Sequence, residues 1–397
     1  MENEFLGYPR PDGTVGTRNY VVVLPAGLIS SKICEFVNGV RTMVTADSGN
    51  GRSKRDRETI ARIQAGLGKN PNVAGVILHE LAWGTDYPEL KPERLADEIA
   101  KTGKPVEYIS SQKYTTAFQV IERGIKVARQ MVQDASSVRR ELVDDKYLTL
   151  GVKCGGSDAT SGIAGNPTVG YLYDYVVRSG GKAMFGENTE IIGAEHILAK
   201  RAINEKVAQD VIDVAHATEE RGKKIGEPIR AVNPVPANIK AGISTLEEKS
   251  LGAIVKSGTS QIQGVLKYGE SPPHRGLFFV DNWQDPNSIF LGYVAAGANV
   301  VLLQLGFGGA LKHTILPPTP TVVVPDIATT ANPNTYKACG ESIDFFSGTV
   351  IAGKESIAQA GERLCELVRK IASGTMTKSE TLKFQDASQC FLMDAGF

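Results

Sequence analysis

Short apolar runs alternate with stretches of helical period from Tyr20 to Gln130. Val21 to Leu24, Met43 to Ala46, Val73 to Leu78 and Val106 to Ile109 have the length and composition of strands. Ser31 to Val40, Asp56 to Leu67, Pro92 to Lys101 and Thr115 to Gln130 repeat their apolar residues as one face of a helix does. Four βα units of this spacing predict a mostly parallel, doubly wound sheet whose ligand crevice lies at the carboxyl ends of its strands. Ser136 to Asp145 is polar and charged, and is the predicted domain boundary. The alternation then resumes. Tyr147 to Val152, Lys182 to Gly186, Leu277 to Val280, Asn299 to Leu305 and Thr321 to Val324 read as strands. Helices are expected from Asn166-Pro167, over Glu205 to Lys224, after a cap at Ser244 or Thr245, and over Ser356 to Ile371, while Pro234 to Asn238 reads as an extended linker. The expected fold class is α/β, with two doubly wound, mostly parallel-sheet (Rossmann-like) domains at 1–140 and 146–397. The tail beyond Gly374 is polar enough to cross onto another subunit or domain.

The second half is organised around Lys153-Cys154-Gly155-Gly156-Ser157-Asp158-Ala159-Thr160-Ser161-Gly162, a tight polar loop between a strand and a helix. Paired glycines admit positive φ and close approach of backbone N–H groups, and Ser157, Thr160 and Ser161 add donors suited to an anion. Two readings stand: an anion cradle, or a Gly-rich βα turn with a buried structural cysteine. A second candidate is Glu187-Asn188-Thr189-Glu190 with His196, delivered by the strand Lys182 to Gly186. Two carboxylates and an imidazole can hold a divalent metal or share acid/base work, and they can equally decorate a helix start. In the first half, Arg18 and Asn19 sit at a strand edge, as carboxylate binders or as a surface turn. Asp47-Ser48-Gly49-Asn50-Gly51-Arg52 ends one strand, with Ser48 and Arg52 as candidate substrate contacts. His79-Glu80 ends the next, with Trp83 and Asp86 beyond. Lys249 and Lys256, with Ser257-Gly258-Thr259-Ser260, make a further anion-friendly turn. Asp281 and Gly306-Phe307-Gly308-Gly309 again fall at strand ends.

Composition narrows the ligand. Lys plus Arg and Asp plus Glu are 44 each in 397 residues, so no global field favours nucleic acid or an anionic membrane. An anionic ligand must be held by local groups. No apolar run approaches the roughly 18 residues of a membrane span, and the polar start has no signal-peptide pattern, so a cytoplasmic protein is expected. Five scattered cysteines without a CxxC argue against a disulfide framework or a structural zinc site. No GxGxxG follows the first strand, which argues against a nucleotide cofactor.

GYPRPDGTVGTRNY, VKCGGSDATSGIAGNP, FGENTEIIGAEHIL and AGISTLEEKSLGAIVKSGTS, four long blocks in this order, resemble the large-subunit region of the altronate/galactarate dehydratase family over nearly the whole chain. The resemblance implies removal of water from sugar acids with a divalent metal, Fe2+ first and Mg2+ or Mn2+ as alternatives. It also implies a separate small β-rich subunit and admits a homo-oligomer. The dehydratase branch carries Asn-Cys-Ser, His-Gly-Thr-Gly-Cys-Gly and Gly-Cys-Glu segments after its first three strands. Here those places read Gly27-Leu28-Ile29-Ser30, Asp47 to Arg52 and His79-Glu80-Leu81. With the PAGLISSKICEFV and NPNVAGVILHE surroundings, this pattern is closer to the family's sulfo-lyase branch, which splits the anionic 2-hydroxy acid 3-sulfolactate into pyruvate and sulfite. The roles implied are Lys153, Cys154, Asp158, Glu187, His196 and Lys249 in catalysis. Arg18, Asn19, Ser48, Arg52, Gly155, Gly156, Ser157 and Ser161 would hold substrate, and Glu187, Glu190 and His196 a metal.

Overall fold

The computed structural model describes residues 3–80, 85–110, 113–307, 322–382 and 388–394. Leu81, Trp83, Gly308, Gly309 and Thr321 lie outside the described residues.

β1 (Glu4–Pro9), β2 (Val15–Gly16), β3 (Tyr20–Leu24), β4 (Val40–Arg41), β5 (Val73–His79) and β6 (Val106–Ile109) come before β7 (Glu141–Asp144). β3 to β6 make a parallel sheet in the order β4-β3-β5-β6, and β1 pairs antiparallel with β2 and β7. β8 (Thr149–Gly155), β9 (Lys182–Phe185), β10 (Ile262–Leu266), β11 (Gly276–Val280), β12 (Val300–Leu305), β13 (Asp326–Thr330) and β14 (Phe345–Phe346) form a seven-stranded parallel sheet in the order β10-β11-β9-β8-β12-β13-β14. The fold is α/β with two doubly wound parallel sheets.

Departures from the sequence reading have local causes. Gly39, at φ 85°, turns the chain early, so the ladder uses Val40–Arg41. Residues 43–46 make only isolated bridges, Ala26 to Thr45 and Val44 to Ser388. The polar connection after residue 136 is structured: the helix Ala117–Ser137 runs into it, and Glu141–Asp144 pairs with β1. The linker at 234–238 instead starts the short helix Pro236–Lys240.

One face of the large sheet packs Leu150, Val152, Phe185 and Leu302 beneath Val176, Leu364 and Val368 of two covering helices. The other face shares a core with the first sheet, where Val22, Leu24 and Ile63 meet Phe278, Tyr293 and Val301. At this seam a Cβ on Gly66 would lie 2.3 Å from the Ala295 carbonyl oxygen, so only glycine allows the two helices to touch. Two buried asparagines staple the same seam. Asn70 Nδ2 donates to the carbonyls of Val294 and Ala298, and Asn72 Nδ2 to those of Asn299 and Val323. Their amides satisfy backbone groups that the apolar core would otherwise leave unpaired. No helix among the described residues is long and apolar enough to cross a membrane.

Candidate functional site

The chain leaves β8 towards β9 on one side and returns to pair β12 on the other, which makes the carboxyl end of β8 a topological switch point. A cleft of about 420 Å³ opens there. β8 reaches it as an apolar strand, and the last side chains to arrive are Lys153 and Cys154. The loop beyond turns at Gly156, with φ 57°, and presents Gly156 and Ser157 to the cleft. It is packed against the end of β12: a Cβ on Gly306 would fall 2.2 Å from the Gly156 carbonyl oxygen.

β9 delivers Glu187 in the left-handed region, at φ 77° and ψ 78°. For a residue with a Cβ that conformation costs about 1–3 kcal/mol, and it persists only where surrounding bonds impose it. Those bonds are present. Glu187 accepts from Cys154 N at 2.9 Å, from Lys153 Nζ at 3.0 Å and from Lys256 Nζ at 2.5 Å. Lys256 Nζ donates equally to Glu190 Oε2 at 2.5 Å. Lys256, Glu187 and Glu190 are 1 %, 0 % and 4 % exposed, so two carboxylates at the floor of the cleft share one buried cation.

The two carboxylates titrate apart. Burial pushes Glu187 up, but Lys153 and Lys256 outweigh it and hold its carboxyl down at about 2. Glu190 is raised above the ordinary carboxylate value, by burial first and by the Glu187 charge second, with Lys256 and Lys249 only opposing. Glu187 therefore stays ionised while Glu190 holds its proton more tightly than an ordinary carboxylate, the kind of separation that distinguishes acid/base roles in a carboxylate pair. Lys256 stays charged, since Glu187 and Glu190 overcome the penalty of its burial. The Cys154 thiol is pushed up to about 11, by burial and then the Glu190 charge, and its Sγ lies 3.1 Å from Ser157 Oγ. It is a neutral thiol at neutral pH and no nucleophile.

Opposite, Lys249 Nζ donates to the neutral Asn233 Oδ1 at 2.9 Å, and among the described residues this cation has no carboxylate partner. Asn238 Nδ2 donates to the Ser157 carbonyl at 2.9 Å, which ties the segment around residues 233–238 to the β8 loop and lays Val232 and Val235 along the mouth. The far wall is Trp283 and Gln284, and Gln284 Oε1 accepts from Thr189 Oγ1 at 2.5 Å.

Seven of the residues given catalytic, substrate or metal roles from sequence meet in this cleft: Lys153, Cys154, Gly156, Ser157, Glu187, Glu190 and Lys249. Gly155 lies beneath it at the end of β8. Asp158 and Ser161 belong to the loop's own scaffold. Asp158 Oδ1 accepts from Thr160 Oγ1 and Ser161 N, and Oδ2 from Asn332 Nδ2, so its lone pairs are engaged. His196 is exposed on the helix Glu195–Ala199 and does not line the cleft. Arg18 binds a carboxylate, but the protein's own: Nε and Nη2 hold Glu380 at 2.6 and 2.7 Å, and the remaining donors take backbone carbonyls. Asn19 donates to the Ala135 carbonyl. Ser48 and Arg52 stay at the edge of the first sheet, where Arg52 pairs with Asp47 at 3.1 Å. The Ser257 to Ser260 turn does bind an anion, the Asp174 carboxylate, through the N–H and hydroxyl groups of Thr259 and Ser260. Asp281 accepts from Asn188 Nδ2, which steadies the loop after β9.

Comparisons with known proteins give the family. The family model described as D-galactarate/Altronate dehydratase, C-terminal, matches residues 146–393, and that described as D-galactarate dehydratase/Altronate hydrolase, second domain, matches residues 7–136. The chain belongs to the galactarate/altronate dehydratase family. Its similarity extends to the (2R)-sulfolactate sulfo-lyase subunit beta of Chromohalobacter salexigens, at 34% identity over 95% of both chains. The altronate dehydratase of Bacillus subtilis is 29% identical over 96% of this chain and 76% of its own. The galactarate dehydratase (L-threo-forming) of Escherichia coli is 32% identical over 77% of this chain and 57% of its own.

The metal that the family resemblance implies finds no fitting donor set in Glu187, Glu190 and His196. Both carboxylates are bonded to lysines, and the imidazole faces outward. No group of three or more His, Cys, Asp or Glu side chains suited to a metal occurs among the described residues. A dication at Glu187 would have to displace Lys256. Sequence reasoning named Lys256 only as part of a turn and passed over Asn233, Asn238, Trp283 and Gln284. Lys256 was legible as a cation seven residues after Lys249, two turns along one helical stretch. The other four carried no signal, since only tertiary folding brings them to the cleft.

Proposed function

We propose that the chain is the large subunit of a lyase that removes the proton α to a carboxylate and expels a group from the β carbon, and that its substrate is (2R)-3-sulfolactate. The observation that carries this reading is the buried carboxylate pair Glu187 and Glu190, bridged by Lys256 and facing across the cleft Lys249, which among the described residues makes no ion pair with a carboxylate. Glu190 is the base. It takes the C2 proton, the electron pair forms the C2–C3 double bond, and the C3–S bond breaks with its pair leaving on sulfite. The enol of pyruvate remains and tautomerises as a proton is returned to C3. Atoms and charge balance without a redox partner. Lys153, whose ammonium lies beside the Gly156 loop, receives the substrate carboxylate, where negative charge grows as the proton departs. Lys249 receives the sulfonate and then the sulfite. Sulfite leaves as a stable anion and needs only a cation, whereas hydroxide needs an acid or a Lewis acid. Support also comes from the sulfo-lyase relative, which matches over 95% of both chains. That relative is by name a subunit, and a separate small subunit is part of this proposal.

The test is release of sulfite and pyruvate from racemic 3-sulfolactate by the chain with a candidate small subunit, with altronate and galactarate as controls. Stoichiometric sulfite and pyruvate would support the lyase. A 2-keto-3-deoxy product from the sugar acids alone would refute it in favour of a hydro-lyase.

A further inference from the structure

Among the described residues, those lining the cleft lie between 153 and 307, yet one of its walls is held from elsewhere. Trp283, whose indole faces the cleft, is stacked on Phe391 at a centroid distance of 5.1 Å with the rings 10° from parallel. The Arg221 guanidinium lies 5.7 Å from the same indole, and its Nη1 reaches Met393 Sδ at 3.1 Å. The segment 388–394 is in turn fastened to the first sheet's region. Ser388 N donates to the Met43 carbonyl at 2.8 Å, and Thr45 N to the Ser388 carbonyl at 3.0 Å. Met393 N and Asp394 N donate to the two oxygens of Asp56, at 2.9 and 3.0 Å.

We propose that Phe391 is a positioning residue for the candidate site: the tail clamps Trp283 in the cleft wall and so makes the first domain set the width of a cleft to which its described residues contribute no lining. An indole flanked on one face only would turn about its two side-chain torsions. Phe391 fixes its plane, Asp56 and Met43 fix Phe391, and the fixed indole holds the wall beside Gln284, which is bonded to Thr189 one residue before the proposed base. The inference rests on the reading of the cleft as the site of turnover, and its test separates the two.

The chain has two tryptophans, Trp83 and Trp283, so Trp83→Phe leaves Trp283 as the only indole. In that background, Phe391→Ala should lower the fluorescence anisotropy of Trp283 and raise its quenching by acrylamide, and Phe391→Tyr should restore both. With 3-sulfolactate, Phe391→Ala should raise KM roughly tenfold, the value of one aromatic stack, with kcat within about twofold and recovery in Phe391→Tyr. Unchanged anisotropy in Phe391→Ala overturns the clamp. An active enzyme whose KM is unmoved by Phe391→Ala overturns its role in the site, and so does a fall in kcat that merely tracks a fall in Tm. If the parent protein turns over none of 3-sulfolactate, altronate and galactarate, the functional reading fails while the anisotropy still decides the clamp.

Discussion

The two parallel sheets present their carboxyl edges in the same manner, yet one edge is closed and the other open. At the first, Asp47 accepts from Gly49 N and from Arg52 Nε. The ring nitrogens of His79 lie 3.0 Å from the carbonyl oxygens of Glu80 and Pro25, and burial lowers its proton affinity. The described residues leave a cavity of only about 40 Å³ there. At the second edge Lys153 of β8 and the two carboxylates after β9 meet Lys249 and Lys256 of a helical stretch, around a cleft about ten times larger. Topology marks both edges as places for a ligand. What separates them is the open space at the second edge and Lys249 beside it, which among the described residues makes no ion pair with a carboxylate.

The comparison fails most completely if the charges at the second edge can be removed at no cost. Lys256→Met takes away the one cation shared by Glu187 and Glu190 and leaves like charges in an apolar interior. Breaking a buried pair in this way costs about 3–5 kcal/mol. Urea unfolding should show a loss of that size, along with loss of turnover. A variant as stable as the parent would mean that the network is not charged as described.

Glu190→Gln is the next largest effect and the cleaner test of chemistry. Removing a positioned base costs roughly 10²–10⁴ in rate, and the amide keeps the side chain's shape, so kcat should fall by that factor with Tm nearly unchanged. The pH dependence has a definite sign. Glu190 must be ionised to act, so the acid limb of kcat/KM should lie above the ordinary carboxylate value, in the direction of its shift. For stability the sign is opposite. A carboxyl with raised proton affinity in the folded state contributes stability below its unfolded pKa, and loses that contribution as pH rises through the folded value. Glu190→Gln should flatten that part of the stability profile. Glu187, held at about 2, works the other way, and its contribution is lost only as pH falls towards that value.

Lys249→Met should come third. The lysine's one bond to Asn233 is replaceable, so stability should change by less than about 1 kcal/mol. KM for 3-sulfolactate should rise by roughly 10- to 100-fold, the range for a lost charge-assisted contact. An unmoved KM would assign the sulfonate to other groups.

These effects fall on residues that the sequence revealed unevenly. The strands β3, β5, β6 and β8 and the helix Glu205–Lys224 were legible because local period and burial agree. β1, β7 and β14 were not, since their pairing depends on partners far away in the chain. The block FGENTEIIGAEHIL shows the same division. It pointed to Glu187 and Glu190, and both are in the cleft, but His196 lies on the next short helix and faces outward. Spacing along a chain does not fix direction once a 3-10 turn, Asn188–Glu190, intervenes. Arg18 was recognisable as a carboxylate binder, though its partner Glu380, 362 residues away, was not. The asparagines of NPNVAGVILHE, named in the sequence only for the family resemblance, prove to be staples of the domain seam.

The smallest effect expected is the one that probes the closed edge. Arg52 and Asp47 keep 32 % and 24 % of their side-chain surface in contact with solvent, and a pair so placed contributes about 0–1 kcal/mol after screening. Arg52→Ala should therefore lower stability by no more than that, and leave kcat and KM for 3-sulfolactate within about twofold of the parent. The loop's shape survives, because Asp47 still accepts from Gly49 N and Ser53 still caps the helix Lys54–Lys69 through Asp56 N. Loss of turnover in Arg52→Ala with an unchanged melting curve would place a first-sheet guanidinium on the substrate. The two edges would then be halves of one site, and the open cleft alone would not account for the chemistry.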